Sequence, residues 1–219
     1  MPEKSIPQTE EVYRYVLEHG HNRDPIRQQI EQENAKLAGW LPCMQTAAEE
    51  ATLLGLLVRT IGAKSALEVG TFTGYSSLIV ARALPPDGHL LCCDVNEQWT
   101  SIAKRYWEQA GVADKITLKL GPALATLKAL PASTVFDFSF IDANKDDYCA
   151  YYEEALKHTR PNGLILIDNV LWSGRIFDRA DQDRETIGVR EINELVARDT
   201  RVEAVMLPFA DGLTIARKK

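Results

Sequence analysis

The chain has 219 residues, of which 45% are hydrophobic, and a formal net charge of −6. A chain of this length is typical of one large globular domain that buries roughly 70–75% of the surface of its unfolded form. The longest run of Lys and Arg is the terminal Arg217-Lys218-Lys219, so no basic stripe for a phosphate backbone is evident. Nucleic acid is therefore an unfavoured partner.

Targeting and redox signals are also weak. Residues 1–7 lack the apolar core of a signal peptide, and no apolar run approaches the roughly 20 residues that span a membrane, which predicts a cytoplasmic protein. The four cysteines, Cys43, Cys92, Cys93 and Cys149, show no CxxC spacing. This pattern favours buried free thiols over zinc ligands, with Cys92 and Cys93 on opposite faces of a strand.

Three helices are predicted before the first clear strand. Hydrophobic periodicity indicates the first two at about residues 9–19 and 25–38, the second opened by Asp24 as cap and a proline as its first residue. The third begins at Thr46, where the sequence TAAE has the form of a capping box, and runs to about Gly62. These helices precede the alternating part of the chain.

From residue 65 onward, short apolar segments alternate with helical ones. The predicted strands are 65–69, 90–93, 116–120, 135–141 and 163–167, and the predicted helices are 75–84, 97–110, 122–130, 146–159 and 185–198. Repeated βα units imply a parallel sheet with helices on both faces, an α/β fold. The last strands, 202–207 and 213–216, are joined by PFADG, which is too short for a crossover helix, so we expect an antiparallel pair.

No linker or repeat divides the chain. We therefore predict one domain over residues 1–219, with residues 1–40 as a helical N-terminal extension and residues 41–219 as the core.

Four predicted strands end at or near an acidic residue: Glu68, Asp94, Asp142 and Asp168. The carboxyl ends of parallel strands share one edge of the sheet, and ligands bind at that edge in open α/β folds. Any single acid here is equally typical of a helix cap. Four together favour a ligand site.

The first of these acids opens the sequence EVGTFTG, residues 68–74. A dinucleotide fingerprint needs glycine at its first, third and sixth positions, and here the first is Glu68 and the sixth is Thr73. A carboxylate at the first position would repel a pyrophosphate and attract an ammonium or sulfonium group. Asp94, at the end of the next strand, suits the hydroxyls of a ribose. Together they predict an adenosine with a cationic tail, which is S-adenosylmethionine (SAM).

A second site is predicted where two other strands end. If strands 135–141 and 163–167 are neighbours, Asp142 and Asp168 lie roughly 5 Å apart. Two anions at that distance repel by about 3 kcal/mol at an effective dielectric of 20, which a shared proton, Lys145 or a bound cation would offset. Asn169 adds a third hard oxygen donor. The set suits Mg²⁺, with Mn²⁺ or Ca²⁺ as alternatives, and leaves about three octahedral positions for substrate and water.

With these motifs the sequence resembles the cation-dependent O-methyltransferases that include caffeoyl-coenzyme A O-methyltransferase and, more distantly, catechol O-methyltransferase. The resemblance covers about residues 40–219. It is carried by MQT at 44–46, EVGTFTGYS at 68–76, IDANK at 141–145, IDNVLWSG at 167–174 and DGLT at 211–214.

The resemblance implies a Rossmann-like, doubly wound, seven-stranded sheet with an antiparallel last strand, usually in a homodimer. It implies metal ligands at Asp142, Asp168 and Asn169, and a general base at Lys145 acting beside Asp142. The residues that match the methyl-donor site of the family are Met44, Thr46, Glu68, Gly70, Thr71, Ser76, Asp94, Ala123, Asp142, Asn144 and Tyr151.

Two positions depart from the plant enzymes of the family. Asn144 stands where they have a second Asp, and Ser173 stands where they have an Asn that touches substrate. The serine at position 173 argues against the acyl-coenzyme A specificity of the plant enzymes. Next to this motif, Asp146 and Asp147 are interpreted only as the acidic first turn of a helix.

We therefore expect SAM-dependent methylation of a phenolic small molecule, such as a catechol that chelates the metal through two adjacent hydroxyls. One alternative is an RNA enzyme of the same fold acting on the wobble uridine of tRNA, with a basic groove from Arg14, Arg23 and Arg27. Another is a catalytically silent SAM-binding module. Clustered carboxylates beside Lys145 are of little use to such a module.

Overall fold

The computed structural model describes residues 7, 9–20, 24–39 and 41–219. The predictions that concern residues 1–6 and Arg23 lie outside these residues. No helix in the described ranges is long and apolar enough to cross a membrane.

One mixed sheet runs through the chain. Its strands are β1 (Ser65–Val69), β2 (His89–Asp94), β3 (Ile116–Leu120), β4 (Phe136–Ile141), β5 (Thr159–Ile167), β6 (Val202–Leu207) and β7 (Leu213–Lys218). The spatial order is β3-β2-β1-β4-β5-β7-β6, and β7 is antiparallel to both of its neighbours. The predicted seven-stranded sheet and its antiparallel last strand are confirmed. The strand order reverses between β1 and β4, which is where ligands bind in such sheets.

Helices cover both faces of this sheet. They are α1 (Glu10–Gly20), α2 (Pro25–Asn34), α3 (Ala48–Thr60), α4 (Tyr75–Ala83), α5 (Glu97–Gln109), α6 (Ala123–Lys128), α7 (Tyr148–His158) and α8 (Arg184–Arg198). The apolar side chains form two clusters, and the alternation along β2 puts Cys92 in one and Cys93 in the other. Cys43 is exposed and Cys149 only half-buried, so the prediction of buried thiols is wrong for these two, which lie on a short turn and a helix surface.

The predicted helix starts have different outcomes. Asp24 caps α2 as expected, because its Oδ1 accepts a hydrogen bond from the backbone N–H of Ile26 at 3.0 Å. The capping role predicted for Thr46 is wrong. Helix α3 begins at Ala48 with Ala47 at the cap position, and no side chain caps it. Thr46 is instead buried in the wall of a cavity, where its hydroxyl does not reach the helix N–H groups.

Helix α2 connects the N-terminal region to the first loop of the sheet. It ends at Asn34, four residues earlier than predicted, and the buried Asn34 amide donates hydrogen bonds to Thr73 Oγ1 at 3.0 Å and Gln45 Oε1 at 2.8 Å. Ile26 and Ile30 join the same apolar cluster as α4. Helix α2 therefore helps to fix the glycine-rich loop.

Candidate active site

A cavity of about 590 Å³ lies at the edge where β1, β2, β4 and β5 end. Nearly all predicted site residues line it, although they come from distant parts of the chain. They are Met44, Thr46, Gly70, Thr71, Ser76, Asp94, Ala123, Asp142, Asn144, Lys145, Tyr151, Asp168 and Asn169. Glu68 is not in this lining. The sheet therefore brings the predicted donor residues and the predicted metal ligands into one cavity.

The loop after β1 approaches the end of β4 so closely that only glycine fits. Gly70 has φ +90°, and a Cβ there would lie 1.8 Å from the carbonyl oxygen of Asp142. Asp94 fixes the loop, because its Oδ2 accepts the backbone N–H groups of Thr71 at 2.8 Å and Phe72 at 2.9 Å. Its Oδ1 accepts a hydrogen bond from the backbone N–H of Asn96 at 2.7 Å. A carboxylate has about four acceptor positions, so Asp94 retains one for a ligand hydroxyl.

Glu68 lies beneath this loop and is completely buried. Burial raises its pKa to about 8, and the nearby hydroxyls of Ser76 and then Ser77 act against this rise. At pH 7 the side chain is therefore mostly protonated. This corrects the sequence argument, which treated Glu68 as an anion that repels pyrophosphate. Its contact with a methyl donor stays a prediction.

Asn144 is held by the two acids that follow it. Its Nδ2 donates hydrogen bonds to Asp146 Oδ1 at 2.8 Å and Asp147 Oδ2 at 2.7 Å, and its Oδ1 accepts one from Tyr151 Oη at 2.6 Å. Asp146 and Asp147 belong to a 3-10 turn, Lys145–Asp147, that continues directly into α7 at Tyr148, so their interpretation as an acidic first turn is confirmed, with 3-10 in place of α geometry. They also orient the Asn144 amide in the cavity wall.

The predicted metal ligands follow two adjacent strands. Ile141 of β4 is paired with Ile167 of β5, and the next residues are Asp142 and Asp168. Burial and then the Asp142 carboxylate raise the pKa of Asp168 to about 7. Asn169 adopts φ +55°, a left-handed conformation that Asn tolerates better than most residues. In the described chain no three His, Cys, Asp or Glu side chains form a metal cluster, so the candidate ligands are two carboxylates and one amide.

Lys145 provides the positive charge next to these acids. It is only 5% exposed, and its Nζ donates hydrogen bonds to Asp142 Oδ1 at 3.0 Å and Tyr148 Oη at 2.7 Å. The same Nζ lies 5.4 Å from the ring centroid of Trp172. Lys145 is therefore fixed on three sides within the cavity wall.

Trp172, in a motif of the sequence but not among the predicted site residues, also lines the cavity. Its Nε1 is buried and has no hydrogen-bond partner in the described part of the chain. Trp172 and Ser173 have φ +47° and +50°, and the Ser173 N–H donates to Asp211 Oδ1. Asp211 belongs to the loop between β6 and β7, so the terminal hairpin braces this side of the cavity.

Glu50 is the main residue that sequence reasoning missed. It is 2% exposed, lines the cavity and is hydrogen-bonded to Asp168, while its Oε1 has no partner among the described atoms. Burial, followed by the charges of Asp168 and Asp142, raises its pKa strongly. A signal was present: Glu50 precedes the buried Leu54 and Val58 of α3 by four and eight residues, which puts all three on one helix face.

A sequence model of the O-methyltransferase family matches residues 17–219. The chain belongs to this family. Among curated relatives, caffeoyl-CoA O-methyltransferase 2 of Zea mays is 38% identical over 98% of this chain and 85% of that protein. Caffeoyl-CoA O-methyltransferase of Eucalyptus gunnii is 37% identical over 98% of this chain and 90% of that protein. The predicted family and the prediction of an O-methyltransferase enzyme are confirmed.

Solved structures of the family superpose over most of the chain. The O-methyltransferase TomG from Streptomyces achromogenes, involved in tomaymycin synthesis and solved with SAM, has a TM-score of 0.87 and 33% identity, covering 95% of this chain and 96% of TomG. An O-methyltransferase from Bacillus cereus, solved with SAH, has a TM-score of 0.86 and 34% identity, covering 95% and 97%. The fold is therefore that of known O-methyltransferases.

Proposed function

We propose that this protein transfers a methyl group from SAM to one hydroxyl of a vicinal-diol phenol and depends on a divalent cation. The observation that carries the proposal is one cavity that holds both the glycine-rich loop and the group of Asp142, Asp168 and Asn169 beside Lys145. SAM and SAH in the TomG and Bacillus cereus structures support the choice of donor.

The donor would occupy the side of the cavity formed by β1 and β2. Asp94 has an acceptor position left for a ribose hydroxyl. Gly70 lets the backbone approach the ligand. Asn144 and Tyr151 present a fixed amide and a fixed hydroxyl on the opposite wall. These are polar contacts for an adenosine and an amino acid, without a phosphate cradle.

The residues at the ends of β4 and β5 fit a hard divalent cation. Asp142, Asp168 and Asn169 supply oxygen donors, which Mg²⁺, Mn²⁺ and Ca²⁺ prefer and which suit zinc less well. The raised pKa of Asp168 supports a buried acidic group that Lys145 alone does not neutralise, and Glu50 Oε1 has no hydrogen-bond partner among the described residues. We propose Mg²⁺ as the ion. When bound, it would lower the pKa of the acceptor hydroxyl.

In its neutral amine form, Lys145 would take up the proton that the acceptor loses. Its Nζ lies 3.0 Å from Asp142 Oδ1 in the wall of the cavity, and Tyr148 Oη fixes it from the other side. The acceptor oxygen then bonds to the methyl carbon as the carbon–sulfur bond breaks, which leaves S-adenosylhomocysteine. Holding both reactants in line can contribute about 7–11 kcal/mol to catalysis.

The test is transfer of labelled methyl from SAM into catechols, hydroxycinnamoyl esters, flavonoids and tRNA, with Mg²⁺ and with a chelator. We expect a labelled catechol-type product with Mg²⁺ and none after exhaustive chelation. Undiminished transfer in the chelator would refute Asp142, Asp168 and Asn169 as metal ligands. SAM binding by calorimetry without transfer to any acceptor would indicate a silent binding module instead.

No observation favours the RNA alternative. Arg14 is paired with Glu10 at 3.0 Å, and Arg27 is paired with Glu31 at 2.5 Å, while Arg23 is outside the described residues. Retention on total tRNA with a steep salt dependence would nevertheless support it.

A homodimer in the cytoplasm remains part of the proposal. Sedimentation of the purified chain at twice the mass of one protomer is the expected result, and a monomer would contradict it.

A further inference from the structure

The cavity contains many more acids than bases. Its carboxylates are Glu50, Asp94, Asp142, Asp168, Glu185 and Asp211, whereas Lys145 is its single Lys or Arg among the lining residues. The charge that an acceptor meets therefore depends on which of these carboxyl groups have no partner.

Five of these carboxyl groups already have partners. Asp94 accepts three backbone N–H groups, and Asp142 is paired with Lys145. Asp211 accepts a hydrogen bond from the backbone N–H of Ser173. Glu50 and Asp168 are hydrogen-bonded to each other. The Glu185 carboxylate, by contrast, makes no hydrogen bond or ion pair with the described residues.

Glu185 lines the cavity and belongs to a helix that packs against the segment of Lys145. It is the second residue of α8, and the first turns of this helix lie against the segment that carries Lys145. A Cβ at Gly188, three residues on, would lie 2.3 Å from the Lys145 carbonyl oxygen. The backbone N–H of Glu185 donates to Asp183 Oδ1 at 3.0 Å, so the backbone is fixed while the half-buried carboxylate remains available.

The arginines near Glu185 have other partners. Arg175 is paired with Asp181 at 2.8 Å and lies 3.8 Å from Asp183. Both of these acids raise the pKa of Arg175 more than Glu185 does. Arg184 is exposed and lies 3.5 Å from Asp146. Neither arginine lines the cavity. Glu185 therefore has no direct ion pair among the described residues, and a cationic group of a ligand can pair with it.

We propose that Glu185 selects acceptors whose catechol ring carries an ammonium group and disfavours acceptors that carry a carboxylate or phosphate. This inference rests on the proposed function and specifies its substrate class. Opposite charges across a half-buried contact favour binding, and like charges there are a means of rejecting the wrong ligand.

The experiment compares three acceptors with the same diol: 4-methylcatechol, its aminoethyl analogue dopamine, and 3,4-dihydroxyphenylacetate. With Mg²⁺ and SAM, we expect kcat/KM to favour dopamine over the neutral catechol by about fivefold, as one partly exposed ion pair provides, mainly through KM. Glu185→Gln should remove this preference and leave transfer to 4-methylcatechol unchanged. Glu185→Lys should reverse the preference toward 3,4-dihydroxyphenylacetate.

Glu191→Gln is the matched control, because Glu191 lies on the exposed side of the same helix and outside the cavity lining. It should keep the preference for dopamine. Transfer to 4-methylcatechol without any charge preference, or a preference that survives in Glu185→Gln, would overturn the role of Glu185 while the proposed function stands. No transfer to any of the three acceptors would overturn the proposed function, and this inference with it.

Discussion

Strand β4 has an aspartate near its amino end and another just after its carboxyl end, and their surroundings differ. At the amino end, Asp137 Oδ2 accepts the backbone N–H groups of Lys64 at 2.7 Å and Ser65 at 2.8 Å. Its Oδ1 accepts a hydrogen bond from Arg160 Nε. Burial by itself would raise the pKa of Asp137, but these partners outweigh it and the pKa is lowered.

At the carboxyl end the acids repel each other. Asp142 and Asp168 follow adjacent strands, and Lys145 pairs directly with only one of them. Burial and the neighbouring carboxylate raise the pKa of Asp168. An acid with a complete set of partners stabilises the sheet, whereas acids left without enough positive charge mark the edge where a ligand completes the site.

The largest expected effect is on kcat, and it should come from replacing Lys145, the basic residue at the carboxyl edge. Lys145→Ala removes the proposed proton acceptor, so we expect kcat to fall by about 10²–10⁴-fold, measured with 4-methylcatechol, SAM and Mg²⁺. Arg160→Ala is the matched control, since Arg160 pairs with Asp137 at the other edge. It should retain kcat and lower stability instead. Full activity of Lys145→Ala with unchanged cation affinity would remove Lys145 from the mechanism.

Asp137→Ala should act on stability alone. The substitution leaves the N–H groups of Lys64 and Ser65 without an acceptor, and we expect a loss of about 2–4 kcal/mol in the free energy of unfolding, measured in urea. Asp137→Asn keeps one acceptor oxygen and should lose less. A loss of methyl transfer in folded Asp137→Ala, rather than of stability, would contradict the division between the two edges.

Glu50 should influence the cation through Asp168. Glu50→Ala removes a hydrogen-bond partner of a metal ligand, and such losses weaken metal binding by about 10–100-fold. Glu50→Gln retains a donor at the same position and should bind Mn²⁺ nearly as well as the unsubstituted chain in a calorimetric titration. Equal affinity of Glu50→Ala and the unsubstituted chain would show that Glu50 has no part in the site.

The smallest expected effect is the dependence of stability on pH. The acids at the two edges of the sheet should change stability in opposite directions as the pH rises. Asp168 and Glu68 have pKa values raised to about 7 and about 8, so the folded chain keeps protons that the unfolded chain has lost. Without metal, stability should therefore fall as the pH rises from the ordinary carboxyl values through about 8, and the still higher pKa of Glu50 should continue this fall above pH 8. Acids with lowered pKa values, such as Asp137, lose their contribution only at lower pH.

Thermal melts in a chelator check this dependence. Each 1 kcal/mol corresponds to about 2–4 °C for a chain of this size. Added Mg²⁺ should stabilise the chain more at pH 8 than at pH 6, because protons compete with the ion for Asp168. A melting temperature that rises steadily over this range in the chelator would contradict the raised pKa values. Asp168→Asn should show a flatter dependence.

The parts of the site that depend on strand ends could be predicted from the sequence. Parallel strands bring their carboxyl ends to one edge, so the sequence predicts that Asp94, Asp142 and Asp168 lie together. The backbone partners of Asp137 could not be predicted, because they lie more than 70 residues earlier in the chain and no local pattern marks them. The role of Glu50 depends on how α3 packs across the cavity, although its four-residue spacing from buried positions indicated an inward-facing acid.

The most direct test is a titration of Mn²⁺ into the unsubstituted chain, Asp168→Asn and Asp137→Asn, followed by the electron paramagnetic resonance of the free ion. The account predicts one bound ion per chain, an affinity at least about tenfold weaker in Asp168→Asn, and an affinity within about twofold of the unsubstituted chain in Asp137→Asn. Absence of binding to the unsubstituted chain, or equal binding by all three, would contradict the central claim that the acids at the carboxyl edge of the sheet form a cation site.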